Sequence, residues 1–162
     1  MQPPEPIFFG ATRVKRKSLD AVPCPVARSL DVIGDWWSLL IVRDAFLGRA
    51  RFGAFQKSLG LSKNILTQRL RALVGDGILE AVPASDGSAY QEYVLTPKGR
   101  GLFPVLVALR QWGTANCFGD EACPTLLVDR VEGRPVQPLE IRAADGRVLD
   151  AGDTRLLERA VR

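Results

Sequence analysis

Apolar positions through the first part of the chain repeat at helical spacing, and glycines or prolines punctuate each repeat. Val26, Ala27, Leu30 and Ile33 follow Pro23-Cys24-Pro25, where a proline with preset φ can open a helix, and Gly34 stops it. Asp35 is placed to cap a second helix from Trp36 to about Leu47, apolar on nearly every face and so expected to be the buried central one. A short third helix carries Phe52, Phe55 and Leu59 and ends at Gly60. Ser62 then caps a fourth, in which Leu66, Leu70, Leu73 and Val74 form the buried stripe before Gly75 and Gly77 close it. Two short helices joined by Leu59-Gly60-Leu61-Ser62 have the layout of a helix-turn-helix.

The period then changes. Ile78 to Val82 and Tyr90 to Leu95 alternate as strands around a turn at Asp86-Gly87, which predicts a hairpin. Thr96-Pro97 begins a long fifth helix with Leu102, Phe103, Leu106, Leu109 and Trp112 on its apolar stripe. Beyond Cys117, the runs 126–131, 136–142 and 147–150 read as a small β-meander, followed by an amphipathic turn or helix from Thr154. The expected fold is mainly α with a β-hairpin wing, a winged helix-turn-helix, plus a small C-terminal β-meander extension. Its divisions are an N-terminal arm over 1–19, the winged helix-turn-helix domain over 20–117 and the extension over 118–162.

The fourth helix has a second face. Asn64, Thr67, Gln68 and Arg71 recur at the offsets of one helical side, with Ser62 and Lys63 beside them, and no acid lies between Ser62 and Gly75. Asn and Gln can bond adenine through two hydrogen bonds, Arg can do so with guanine, and a Thr methyl can meet that of thymine. A polar stripe alone is most often a solvated face. The tight turn before this one and the hairpin after it point instead to a recognition helix. Arg49, Arg51, Lys57, Lys98 and Arg100 suit phosphate positioning, whereas the basic cluster Arg13 to Lys17 reads equally as a solvated charge run or a phosphate contact. The presumed wing tip, Ala84 to Ala89, holds an Asp and no Lys or Arg, so a weak wing contact is expected.

Composition narrows the function further. The 162 residues suffice for one core and an appendage, with 46% apolar and 25% charged side chains. Basic residues outnumber acids by 15 to 9 through Trp112, whereas the balance beyond it is 7 to 9. A polyanion should therefore dock on the first part. No run is apolar enough to span a membrane, and the start lacks a secretory pattern, so a cytoplasmic protein is expected. Cys24, Cys117 and Cys123 show no Cys-x-x-Cys spacing and there is no histidine. That argues against a disulfide framework, a zinc site, a cofactor and most acid–base enzymes. The acids of the tail, Asp129, Glu140, Asp145, Asp150 and Asp153, form no motif and read as solvated charges.

Several segments resemble the HxlR-type regulators, a branch of the MarR-like winged-helix proteins. They are Cys24-Pro25-Val26, Gly34-Asp35-Trp36-Trp37-Ser38-Leu39-Leu40-Ile41, Arg51-Phe52-Gly53-Ala54-Phe55 and Ser62 to Leu70. Gly77-Ile78-Leu79 and Glu92-Tyr93-Val94-Leu95-Thr96-Pro97-Lys98-Gly99 continue the series in order, so the resemblance covers about residues 20 to 115. It implies a homodimer on a pseudo-palindromic double-stranded DNA operator, usually a local repressor, joined through the N-terminal segment and the long helix from Pro97. The wing without a basic residue and the long tail depart from the pattern.

The resemblance also implies that a cysteine at the place of Cys24 can sense oxidants or electrophiles. Independently, a thiol at a helix N-terminus faces unpaired N–H groups that favour thiolate, although a small capping role is as reasonable. Cys117 and Cys123 read as packing residues. Trp36, Trp37, Phe46, Phe103 and Trp112 are candidates to line a small-molecule effector pocket. The rival reading is a winged helix that only binds other proteins. Such a module should expose a large apolar patch where this one offers hydrogen-bonding groups.

Overall fold

The computed structural model describes residues 18–119 and 122–158. The Arg13 to Lys17 cluster and nearly all of the expected N-terminal arm lie outside the described residues. Two compact units divide at Val94 and Leu95.

In the first unit α1 spans Pro25–Ile33, α2 Trp36–Phe46, α3 Phe52–Leu59 and α4 Lys63–Gly75, and β1, Leu79–Pro83, pairs with β2, Gln91–Leu95. Local chemistry sets these boundaries. Asp35 accepts the Ser38 N–H at 3.1 Å and also the Ser38 hydroxyl, closing the start of α2. Gly60 takes φ +64 at the end of α3, a left-handed turn that a Cβ would oppose. The Ser62 hydroxyl accepts the Ile65 N–H at 3.4 Å and begins α4.

Helices α2, α3 and α4 pack on one another, and α4 also packs on β1. Ile41, Val42, Phe55, Leu66, Leu70, Leu73, Ile78 and Leu79 fill the centre. The leucines of α4 are buried in this core, which forces the opposite side of the helix outward. As expected, α2 supplies much of the core, but it is not buried on every side. Its first residue, Trp36, is 75% exposed. A short stretch before α3 joins the hairpin as a third edge, where the Tyr93 N–H reaches the Ala50 carbonyl at 2.7 Å and Arg51 bridges Glu92.

The second unit departs from the sequence expectation in three places. The long fifth helix is broken into α5, Pro97–Arg100, and α6, Phe103–Asn116. Pro104 is the cause. Inside a continuous helix it would have no N–H for the Arg100 carbonyl, and its ring would press on that carbonyl. In the first turn of a new helix neither penalty applies.

The expected meander is the second departure. No extended strand runs through the described tail, and pairing is reduced to the single bridges Val128–Pro135 and Arg142–Val148. Side chains organise it instead. Asp129 accepts the N–H groups of Val131, Glu132 and Arg134 at 2.9, 2.7 and 3.0 Å. Pro135 and Pro138 donate no ladder hydrogen bonds, and Val131 is 94% exposed, so a sheet there would lack both its bonds and a covered face. Finally, Thr154 to Glu158 take no regular secondary structure, and the last turn is a 3₁₀ turn at Ala151–Asp153. Gln111 of α6 holds the tail from both ends of its amide: Nε2 donates to the Gln137 carbonyl at 3.0 Å and Oε1 accepts the Leu139 N–H at 2.8 Å.

Candidate nucleic-acid interface

The outward side of α4 presents Lys63, Asn64, Gln68 and Arg71 exposed and Thr67 half-buried. No hydrogen bond or ion pair engages these five side chains among the described residues. Donors and acceptors that are solvated and uncommitted can be transferred to base edges without breaking an internal bond. Ser62 stands at the same end, its hydroxyl used by the cap.

Two contacts missed in the sequence fix the angle of this helix. Arg69, on its flank, pairs with Asp35 at 3.3 Å, tying α4 to the start of α2. Gln56 donates to the Leu61 carbonyl at 3.2 Å and braces the turn between α3 and α4. The sequence signal for the first was an Asp already assigned to a cap. A carboxylate with two oxygens can serve both.

The wing is held from an unexpected quarter. The Arg51 guanidinium meets Asp86, at the wing turn, at 2.5 Å and Glu92, on β2, at 3.3 Å, while the Ser85 hydroxyl donates to Glu92 at 3.1 Å. The Arg51 bond, then those from Ser88, hold the Asp86 carboxyl far below its ordinary range, and Asp86 foremost raises Arg51. The acid in a wing tip without cations thus has an internal role. Arg51, expected on phosphate, spends its charge on the wing.

The other predicted phosphate contacts are dispersed. Arg49 is 3.7 Å from Asp44, a fully buried carboxylate that Arg43 approaches at 2.7 Å. Lys57 is exposed on α3, and no ion pair engages it among the described residues. Lys98 and Arg100 are exposed on α5 in the second unit, where Arg100 donates to the Leu95 carbonyl at 2.6 Å. The effector-pocket candidates are likewise divided. Trp36 and Trp37 meet edge to face at 5.9 Å in the first unit, with Phe46 half-buried, whereas Phe103 and Trp112 are exposed on α6. Cys24 occupies the cap of α1, half-buried beside Pro23, Pro25 and Arg28, and makes no side-chain cap bond. Among the described residues no group of His, Cys, Asp or Glu is arranged to hold a metal, and no helix is long and apolar enough to cross a membrane.

A helix-turn-helix whose second helix turns a polar face outward, followed at once by a hairpin latched to it, defines a winged helix-turn-helix protein. Residues 32–121 match the HxlR-like helix-turn-helix family, and the chain belongs to it. An HTH-type transcriptional regulator of Mycobacterium tuberculosis is 42% identical over 112 residues, 69% of this chain, which spans 64% of that relative's length. Among solved structures, the transcription factor PA1607 is 58% identical, with a TM-score of 0.84 over 88% of this chain and 100% of its own. The oxidised form of the redox regulator HypR is 34% identical, with a TM-score of 0.53 over 57% of this chain and 97% of its own.

Proposed function

We propose that the protein is a cytoplasmic transcription regulator, not an enzyme, that binds a pseudo-palindromic operator as a homodimer and acts as a repressor. The observation that carries this reading is the uncommitted face of α4. Asn64, Thr67, Gln68 and Arg71 are presented to solvent by a helix whose other side is locked into the core. In this reading they contact base edges, while Ser62, Lys63, Arg49, Lys57, Lys98 and Arg100 position the phosphates and Arg51 sets the wing. The working domain is 20–117, dimerisation included, with 118–162 as an extension. The similarity to a redox regulator supports Cys24 as the residue through which an oxidant or electrophile alters DNA binding.

The test is a gel shift on the DNA upstream of the protein's own gene, repeated across a salt series. Each neutralised phosphate should contribute a slope of about −0.9 in log affinity against log salt. Binding that is absent, or that is equally tight on unrelated DNA, would defeat sequence-specific regulation and favour a winged helix that docks on proteins.

A further inference from the structure

The second unit contains a cleft that neither the DNA-facing helix nor the aromatic candidates account for. It is an open groove of about 540 Å³ between α6 and the tail. Leu127, Val136 and Pro138 give it apolar walls, and Arg110, Thr125 and Cys123 supply its polar edge. No acid lines it.

Arg110 is the telling residue. It is half-buried, and its Nη2 donates to the carbonyl and, at 3.0 Å, the hydroxyl of Thr125. Among the described residues no carboxylate pairs with it. A guanidinium has five donors in a planar fork, and neutral oxygens satisfy few of them and none of its charge. A partly desolvated cation facing apolar walls selects an anion with an apolar body. Phosphate and other compact, strongly hydrated anions would leave those walls unfilled.

We propose that this cleft binds a small apolar monocarboxylate, its tail against Leu127, Val136 and Pro138 and its carboxylate on Arg110. If the protein regulates transcription as read above, such an acid is its effector. The binding itself requires no DNA, so the two readings fail separately.

Cys123 provides a local reporter. Its Sγ donates to the Thr125 carbonyl at 3.4 Å and lies 3.9 Å from the Thr125 hydroxyl, and hydrogen bonding with Thr125 first, then Thr114, and the nearby Arg110 charge hold the thiol below the ordinary range, so its labelling reports on this cleft. Full-length protein is titrated calorimetrically with octanoate and 4-phenylbutyrate, each beside its uncharged amide. Iodoacetamide labelling of each cysteine is followed by peptide mass spectrometry with and without the acid.

The acid should bind about tenfold or more tightly than its amide, as expected for losing a charge-assisted bond. It should slow labelling of Cys123 while Cys24 and Cys117 keep their rates. Arg110→Gln should abolish the preference for acid. Because that change also loosens Thr125, Ala115→Phe serves as the second variant: it fills the cleft from α6, leaves Arg110 in place and should abolish binding with an unchanged circular dichroism spectrum. Binding by neither acid, equal affinity for acid and amide, protection elsewhere than Cys123, or full affinity in Ala115→Phe would each overturn the assignment.

Discussion

Arg51 and Asp86 meet at 2.5 Å, joining the residue that caps α3 to the turn of the hairpin. The pair explains why the wing carries an acid where a DNA-binding hairpin is expected to be basic. It also predicts how the wing responds to pH. A carboxylate held below its ordinary range contributes fully above its unfolded pKa of about 3.9, and loses that contribution only as pH falls through the lower folded value. The wing should therefore keep its position from about pH 8 down to about pH 5, with the backbone signals of Gly87 and Ser88 unchanged in an NMR titration. Salt should loosen it, because the pair is solvent-accessible. Asp86→Asn should weaken operator binding several-fold by releasing the wing. A wing whose signals move through that pH range would contradict the latch.

The outward face of α4 makes a separable prediction. Gln68→Ala and Arg71→Ala should each reduce affinity by about 1–3 kcal/mol and relax sequence preference, since a base-edge contact is lost. Lys57→Ala should weaken binding to every sequence alike and flatten the salt slope by about one phosphate contact. Leu70→Ala is the counterpart on the inward face. Leu70 is 1% exposed, so the cavity should lower unfolding stability by about 2–5 kcal/mol. Denaturant titration of the four variants distinguishes the faces: only the leucine change should move the midpoint substantially.

Gly60 tests the turn between α3 and α4. Its φ of +64 is left-handed, and a Cβ added there would meet nothing within 4 Å. The only penalty for Gly60→Ala is therefore conformational, about 1–2 kcal/mol. Gly60→Asn should lose less, because Asn tolerates this conformation better. Equal stability of the three proteins would show that the turn adopts another geometry in solution.

The elements of the first unit were legible because their signals are local. Gly34, Gly48, Gly60 and Ser62 mark helix ends regardless of what packs against them, and the two faces of α4 follow from one period. Contacts between distant residues were not. Nothing in a periodic pattern relates Arg51 to Asp86 and Glu92, so from sequence the basic residue suits a phosphate and the acid makes a poor wing tip. Pro104 is a local signal masked by Phe103, Leu106 and Leu109, which keep helical spacing across it. In the tail, alternating Val, Leu and Ile suggested strands, but strands also need partners and a covered face. Asp129, Asp145 and two prolines bend that segment into turns before a ladder can form.

The last prediction concerns Cys24. It caps α1 through its carbonyl, which accepts the Arg28 N–H at 3.1 Å, while its side chain makes no cap bond, is partly accessible, and shares a shallow surface with Arg28. A thiol spent on capping would be expected to show a side-chain bond, so replacement by serine should not unfold the helix and could improve the cap. Cys24→Ser should therefore retain operator affinity and thermal stability. Its DNA complex should no longer respond to hydrogen peroxide or a quinone, whereas that of the unaltered protein should. If the serine variant responds to oxidant as the parent does, sensing by Cys24 is excluded, and a role confined to helix initiation beside Pro25 accounts for its position.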